Sequence, residues 1–380
     1  MLDLQQEVAT LWPVLEPALQ RVLRSGQFIG GEELQALEDD LAAYLGVKHA
    51  VGLNSGTDAL MIGLRSLGIG AGDEVLTPSF SFFASAEAIS NVGARPVFVD
   101  VNPLDFTLEP SLLAQHLSPR SKAIMPVHLF GQAAAMGQIM AFAAEHKLAV
   151  IEDCAQSFGT RYAADCPACS SDFCPPWQGR YTGSIGAVGA FSFYPTKNLG
   201  AYGDAGLLTC HDDEVAAYAR MLRSHGEKQR YAHELLGYNS RLDSLQAAVL
   251  RVKLPYVAQW NEARRQHAAY YQRGLESEAQ AGKLQLPRLS PSHSVHQYTL
   301  RIFANRRDAV KEQLAAQGIA SAVYYPLPQE CNPAYAQHQQ LHANPVSAQL
   351  CREVLSLPVH PFLSLEALER VVQAVKQALA

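Results

Sequence analysis

The sequence predicts an α/β protein in which a mainly parallel β-sheet is covered by helices. Short apolar runs, typical of buried strands, alternate with helical segments from residue 49 to residue 153. Sheets of this kind bind ligands at the carboxyl ends of their strands, where this sequence has polar and small residues. The chain has 380 residues, 48% of them apolar, and we predict a large domain at 1–252 and a smaller α+β domain at 253–380.

Charge and composition argue against several classes of function. The net charge is −6 and no basic run is present, so we expect no nucleic-acid partner. Acidic residues among the first twenty argue against a signal peptide, and no apolar run is long enough to cross a bilayer. Seven cysteines, an odd number, favour reduced thiols. These features predict a cytoplasmic protein that does not contact a membrane.

The N-terminal part begins with two helices and continues as alternating strands and helices. An amphipathic helix over 4–24 should be broken or kinked by Pro13 and Pro17, and a second helix should cover 31–45. The strands expected after it are 49–53, 73–78, 95–100, 123–127 and 149–153, and the helices between them are 55–67, 83–92 and 136–146.

The C-terminal part is predicted to begin with a long linking helix. This helix should cover 241–275 with a kink at Pro255. The elements expected after it are a strand at 297–303, a helix at 307–317, an extended segment at 322–328 and a final helix at 365–379.

A turn of small residues precedes the third predicted helix. Ser55, Gly56 and Thr57 follow a strand and begin the helix, where unpaired backbone N–H groups and the helix dipole favour an anion. The same residues are also an ordinary N-cap, so this motif alone leaves both interpretations open.

Lys197 follows an apolar, aromatic run that stops at Pro195. Gly200 and Gly203 mark the turn that carries this lysine. A lysine at a strand end among apolar residues is a candidate for a desolvated amine with a lowered pKa, as a Schiff-base lysine requires. Alternatively, it is a loop lysine that reaches solvent.

Three further side chains complete a possible cofactor site. Asp153 ends an apolar strand and is either an N-cap or the partner of a cationic ring nitrogen, with Gln156 close behind it. Phe82 is either a core residue or a ring that stacks on a ligand. A lysine, a strand-end aspartate, a helix N-terminus and an aromatic ring together are typical of a pyridoxal phosphate site.

The sequence resembles the DegT/DnrJ/EryC1/StrS family of nucleotide-sugar aminotransferases over nearly its whole length. The resemblance rests on FIGGEEL (28–34), NSGTDAL (54–60), GDEVLTP (72–78), PVHLFGQ (126–132), IEDCAQ (151–156), FSFYPTKNLG (191–200) and GYNSRLDSLQAA (237–248). It implies the aspartate aminotransferase-like architecture, pyridoxal phosphate fold type I, with a seven-stranded sheet.

The resemblance also assigns roles to individual residues. It implies that Lys197 carries the cofactor and moves the proton, and that Asp153 pairs with the pyridine nitrogen. Gln156 would contact the phenolic oxygen of the cofactor. The phosphate would be bound by Gly56, Thr57 and Ser192, and by Asn239 of a neighbouring subunit, so the working unit would be a homodimer with shared active sites.

The implied reaction moves an amino group from L-glutamate to a UDP- or dTDP-linked keto sugar. The run 197–206 is more similar to relatives that aminate 3-keto sugars than to those that aminate 4-keto sugars, and the product would serve lipopolysaccharide or glycoconjugate synthesis. Candidate substrate contacts are Arg241, Tyr324, Tyr325 and His225, each of which could equally be structural. The alternatives are a sugar dehydratase or lyase with the same cofactor, or a non-catalytic regulatory protein.

One stretch departs from the family pattern. Between Tyr162 and Gly183 a short hairpin is expanded to include Cys166, Cys169 and Cys174. A C-x-x-C pair suggests zinc, but a structural zinc site needs four ligands and no second pair is present. We therefore predict a flexible, proline-rich loop near the active-site mouth and no metal site.

Overall fold

The computed structural model describes residues 3–162, 177–337 and 342–380. Its helices are α1 (Leu4–Ser25), α2 (Gly31–Leu45), α3 (Gly56–Ser66), α4 (Ala84–Asn91), α5 (Leu113–His116), α6 (Met136–His146), α7 (Asp213–Arg223), α8 (Ser244–Lys253), α9 (Val257–Gln280), α10 (Arg307–Ala316), α11 (Pro345–Glu353) and α12 (Leu365–Leu379). None of the described helices has the length and apolar character needed to cross a membrane.

The large sheet has seven strands, which confirms the predicted fold class. They are β1 (His49–Leu53), β2 (Glu74–Pro78), β3 (Arg95–Val99), β4 (Ser121–Ile124), β5 (Ala149–Asp153), β6 (Val188–Ser192) and β7 (Gly206–Cys210). Their order is β1-β7-β6-β5-β4-β2-β3, and only β7 runs antiparallel to its neighbours. The parallel strands therefore end at one edge, as the strand–helix alternation predicts.

Helices on both faces bury this sheet. One apolar core joins the sheet to α3, α4 and α7, and a second joins the opposite face to α2 and α8. After α7 the chain forms a short antiparallel hairpin of β8 (Glu227–Gln229) and β9 (Ala232–His233). The sequence analysis did not assign β7, α7 or this hairpin.

The C-terminal part has a core of its own. β10 (Leu284–Gln285), β11 (Tyr298–Ile302) and β12 (Val354–Leu357) form an antiparallel sheet, and α9, α10 and α12 supply the other side chains of this core. The domain boundary at 252/253 remains our proposal. The kink at Pro255 is confirmed, since a short 3₁₀ turn separates α8 from α9 there.

Two predicted helix features were wrong. A break or a kink was expected in α1, and the break does not occur. The helix continues through Pro13 and Pro17, which lie on its exposed side, where water can bond the carbonyl groups that each proline leaves without a partner. The linking helix begins at Ser244 rather than at residue 241, because Arg241 still pairs with Leu53 in a β-bridge.

Candidate active site

A cavity of about 380 Å³ lies at the carboxyl ends of β5 and β6. It brings together most of the residues that the sequence analysis selected. Those that line it are Gly56, Thr57, Phe82, Asp153, Gln156, Ser192, Lys197, Tyr324 and Tyr325. Residues more than two hundred positions apart in the sequence therefore line one cavity, because the carboxyl ends of parallel strands meet at the same edge of the sheet.

Lys197 is held in a tight turn after β6. Its backbone N–H donates to the carbonyl oxygen of Tyr194 at 2.8 Å, and the N–H of Ala201 donates to Phe193 at 2.7 Å. Gly200 is required in this turn, because a Cβ there would lie 2.5 Å from the carbonyl oxygen of Pro195. Desolvation lowers the pKa of the Lys197 ammonium to about 8, although the charge of Asp153 opposes this shift.

Asp153, at the end of β5, is only 4% exposed and faces the same cavity. One carboxylate oxygen accepts a hydrogen bond from the Ser85 hydroxyl at 2.8 Å, and the other accepts from the backbone N–H of Ala155 at 3.1 Å. Burial raises the pKa of this carboxyl group, and the hydrogen bonds and the charge of Lys197 only partly offset it. A cation bound in the cavity would therefore be stabilised here.

The N-terminus of α3 forms one end of the cavity. Ser55 caps the helix, and its hydroxyl oxygen accepts from the N–H of Asp58 at 3.1 Å. Gly56 packs so closely on β6 that a Cβ there would lie 2.7 Å from the Cβ of Ser192. Ser55 is therefore the N-cap of α3, and Gly56 and Thr57 line the cavity beside it.

An aromatic ring and an amide occupy the opposite wall. Phe82 is 56% exposed, and its ring centroid is 5.9 Å from that of Tyr325. Gln156 accepts a hydrogen bond from the N–H of Phe130 and donates one to the hydroxyl of Tyr325, each at 2.8 Å. One amide N–H of Gln156 is still available to a ligand, since a primary amide has two.

Two predicted residues lie in a second cavity, next to the first. Asn239 and Arg241 line a space of about 680 Å³ that shares Ser55 and Asp204 with the Lys197 cavity. Asn239 is exposed in the single chain. His225, in the exposed turn before β8, lines neither of these two cavities.

Several residues in the Lys197 cavity or next to it were not selected by the sequence analysis, His296 and Ser85 among them. His296 lines the cavity, and its Nδ1 lies 2.9 Å from Oδ1 of Asn198. Burial, together with the charge of Lys197, moves the pKa of this imidazole well below its usual value, so it is neutral. Ser85 contacts Asp153. Neither residue lies at a predicted strand end or in a quoted motif, so only the tertiary contact identifies them.

The three cysteines of the predicted proline-rich loop fall between residues 163 and 176. Cys166, Cys169 and Cys174 lie outside the described residues.

Comparisons with known proteins find matches over nearly the whole chain. The model of the DegT/DnrJ/EryC1/StrS aminotransferase family matches residues 15–376. A Geobacillus stearothermophilus protein named pleiotropic regulatory protein is 43% identical to 99% of this chain over 97% of its own length. An Acidithiobacillus ferrooxidans protein named UDP-N-acetyl-3-dehydro-alpha-D-glucosamine 3-aminotransferase is also 43% identical, over 100% of this chain and 97% of its own.

A solved structure extends the similarity to the fold. The crystal structure of S. venezuelae DesV in complex with a ketimine intermediate has a TM-score of 0.90 and 41% sequence identity, and it covers 99% of this chain and 97% of its own.

Proposed function

Since the chain belongs to the DegT/DnrJ/EryC1/StrS aminotransferase family, we propose that it transfers the amino group of L-glutamate to a nucleotide-linked keto sugar. In this reaction L-glutamate becomes 2-oxoglutarate while the sugar ketone becomes an amine. The observation that carries the proposal is one cavity lined by an amine of lowered pKa, Lys197, and by a buried carboxylate, Asp153.

The residues of the cavity fit pyridoxal phosphate, on which this family depends. The charge of Lys197 only partly offsets the burial of the Asp153 carboxylate, and a protonated ring nitrogen would supply further positive charge there. The close packing of Gly56 on Ser192 leaves the N-terminus of α3 open to a phosphate, and the exposed ring of Phe82 offers a stacking face. When bound, the cofactor supplies an electron sink for a carbanion.

The side chains of this chain would perform the remaining tasks. We assign proton transfer to Lys197, because a pKa of about 8 allows its amine both to accept and to release a proton near neutral pH. We assign the ring nitrogen to Asp153 and the phenolic oxygen to Gln156. The phosphate is assigned to Gly56, Thr57 and Ser192.

For the acceptor we favour a UDP- or dTDP-linked sugar with a ketone at position 3. The run at 197–206 and the name of the A. ferrooxidans relative, a 3-aminotransferase, both support this choice. Tyr324 and Tyr325 remain candidate substrate contacts, since both line the cavity. The amino sugar would serve lipopolysaccharide or another glycoconjugate, and a cytoplasmic location remains part of this proposal.

We further propose that the working unit is a homodimer with shared active sites. Asn239 and Arg241 line a cavity beside the Lys197 cavity, and Asn239 is exposed in the single chain. Ile29, at the same cavity, is an exposed apolar side chain, as is its neighbour Phe28. A second subunit would bury these residues and would bring its own Asn239 to the phosphate.

The first test is an absorbance spectrum of the protein loaded with pyridoxal phosphate, before and after addition of L-glutamate. We expect a visible band that glutamate bleaches in the wild type and in Lys122→Ala, an exposed lysine on β4. Lys197→Ala should show no glutamate-driven bleaching. A wild-type protein without the band, or with a band that ignores every amino donor, would contradict the proposal and favour a lyase or a non-catalytic regulator.

The keto-sugar screen follows once the first half-reaction is established. Protein converted with glutamate is mixed with UDP- and dTDP-linked 3-keto and 4-keto sugars, and the return of the visible band is recorded. We expect the fastest return with a 3-keto sugar. A preference for 4-keto sugars would overturn the assigned position but not the reaction.

Complementation tests the shared site. Lys197→Ala and Asn239→Ala chains should each be impaired, and their mixture should regain activity after subunit exchange, because one of the two mixed sites then has both residues intact. If Asn239 acts within its own chain, no mixed site is restored.

A further inference from the structure

A buried ion pair connects the first helix to the turn that carries Lys197. Glu7 on α1 is 5% exposed, and its carboxylate lies 2.6 Å from the Nζ of Lys253, whose side chain is 1% exposed at the end of α8. The Tyr202 hydroxyl donates a weaker hydrogen bond to the same carboxylate at 3.3 Å. The pair is therefore shielded from solvent, unlike a surface salt bridge.

Lys253 also reaches the turn itself. Its ammonium donates a hydrogen bond to the carbonyl oxygen of Gly200, three residues after Lys197. The Tyr202 ring lies under the same ammonium, 4.6 Å from Nζ to the ring centroid. Since a Cβ at Gly200 would collide with Pro195, this carbonyl group belongs to a closely packed turn with little room to move. A single cation thus fixes the C-terminal end of the turn.

A buried pair of this kind costs desolvation energy that an apolar pair would not. The surroundings would accept apolar side chains, since Leu11, Leu15, Val249 and Trp260 form a hydrophobic cluster beside the pair. Stability alone does not explain a carboxylate and an ammonium in this position. A requirement for a hydrogen-bond donor at Gly200 does explain them, because the Lys253 side chain reaches this carbonyl group from α8 and its buried charge needs a partner, which Glu7 supplies.

We propose that Glu7 is a positioning residue for Lys197, which acts through Lys253 and the carbonyl oxygen of Gly200. The proposal rests on the proposed function, in which Lys197 holds the cofactor and moves the proton. Glu7 keeps the Lys253 ammonium charged and directed at Gly200, and the turn then keeps Lys197 pointed into the cavity. The N-terminal helix is accordingly part of the active-site architecture.

The charged groups around Glu7 agree with this role. Burial lowers the pKa of Lys253, and the charge of Glu7 offsets only part of this shift. Arg264 on α9 is the other cation that Glu7 stabilises; burial lowers its pKa to about 10. Its guanidinium donates a hydrogen bond to the carbonyl oxygen of Val359 at 2.7 Å and a weaker one to that of Val295, next to His296 at the cavity wall, at 3.4 Å. Glu7 thus forms an ion pair with Lys253, while Arg264 is influenced only by its charge.

The test compares Glu7→Gln with the double variant Glu7→Gln/Lys253→Met. Glu7→Gln leaves a buried ammonium without its carboxylate and should lower the thermal midpoint. The double variant removes both charges, so its midpoint should return towards that of the wild type, but it also removes the Lys253 donor to Gly200. Glu16→Gln, an exposed carboxylate on the same helix, is the matched control.

The deciding readout is amide hydrogen exchange of residues 193–202 in the cofactor-free protein. We expect the N–H groups of Lys197 and Ala201 to exchange at least about 10-fold faster in the double variant than in the wild type or in Glu16→Gln. In loaded protein, kcat should fall about 10- to 100-fold while KM for glutamate stays within about twofold, because the lysine is misplaced rather than the substrate site lost.

The exchange rate and kcat of the double variant decide whether Glu7 and Lys253 position Lys197. A double variant with a restored midpoint, rapid exchange in the turn and low kcat supports the positioning role. A double variant with wild-type exchange and wild-type kcat overturns it. Because exchange is measured without cofactor, it also decides the question if the loaded wild type fails to react with glutamate, an outcome that would count against the proposed function alone.

Discussion

The two faces of strand β5 carry neighbouring carboxylates with opposite environments. Glu152 is 0% exposed and faces away from the cavity, where its oxygens accept four hydrogen bonds. The donors are Nε2 of His128 at 2.9 Å and the backbone N–H groups of Gly183, Ile185 and Gly186 at 2.9, 2.9 and 2.7 Å. Asp153 faces the cavity and accepts one hydrogen bond on each of its two oxygens, from Ser85 and from Ala155.

The pKa values of the two groups shift in opposite directions. Burial alone would raise the pKa of Glu152, but the hydrogen bonds from His128 and from the turn at 183–186 outweigh it and lower the pKa. Burial raises the pKa of Asp153, and its fewer donors do not reverse this. A buried carboxylate whose burial is fully offset by protein donors is typical of a structural role, whereas one whose burial is only partly offset is a candidate for ligand binding.

The largest expected effect is a difference in reaction rate between variants of Asp153 and Glu152. Asp153→Asn keeps the size of the side chain but cannot stabilise a cationic ring nitrogen, so we expect the rate of glutamate-driven bleaching to fall about 100- to 1000-fold. Stopped-flow absorbance of loaded protein measures this rate. Glu152→Gln is the matched control and should retain a rate within a few-fold of wild type in its folded fraction. Equal losses in both variants would contradict the distinction.

The second prediction concerns the contribution of Glu152 to the stability of the fold. Glu152→Gln places an amide NH₂ against donors that need an acceptor, so we expect the free energy of unfolding to fall by about 3 kcal/mol. Urea denaturation measures the change. Glu312→Gln, an exposed carboxylate on α10, should leave the free energy of unfolding unchanged. If Glu152→Gln is as stable as Glu312→Gln, the structural role of Glu152 is wrong.

A smaller effect is expected from the hydroxyl that supports Asp153. Ser85→Ala removes one of its two hydrogen bonds and should reduce the bleaching rate roughly 10-fold, because the carboxylate is then less stable in its charged form. Ser90→Ala changes the same residue type on the same helix without a contact to Asp153, since its hydroxyl bonds Ala86. The distinction fails if both variants react at the wild-type rate.

The smallest effect is a difference in pH dependence. The lowered pKa of Glu152 contributes stability that is complete above the ordinary value of 4.5 and is lost as the pH falls through the folded-state pKa. Glu152→Gln should therefore flatten the loss of stability in acid, by at most about 1.4 kcal/mol per pH unit. The raised pKa of Asp153 contributes stability that is lost as the pH rises above 3.8, which is the opposite sign. Asp153→Asn should therefore make the loss of stability in acid steeper.

Denaturation curves between pH 3 and pH 6 test both signs, with Glu312→Gln as the control. Parallel curves for all three variants would show that neither carboxylate changes its pKa on folding.

Much of the site was accessible from the sequence because its residues lie at the ends of locally recognisable elements. Asp153 ends a strand and Gly56 begins a helix, so each could be placed from the periodicity around it. Lys197 follows β6 directly, and proline and glycine mark its turn. Ser85 and His296 carry no such signal. Only the packing of α4 brings Ser85 against Asp153, and only the packing of the segment before β11 brings His296 to the cavity.

The sequence by itself determined the alternation of strands and helices, the residue types at the strand ends and, through its motifs, the family. These properties depend on neighbours along the chain. Only the tertiary structure decided that Glu152 is saturated by a turn about thirty residues away, and that Glu7 on the first helix supports Lys253 and the Lys197 turn. Contacts of that kind depend on how distant elements pack, and no local periodicity encodes that packing.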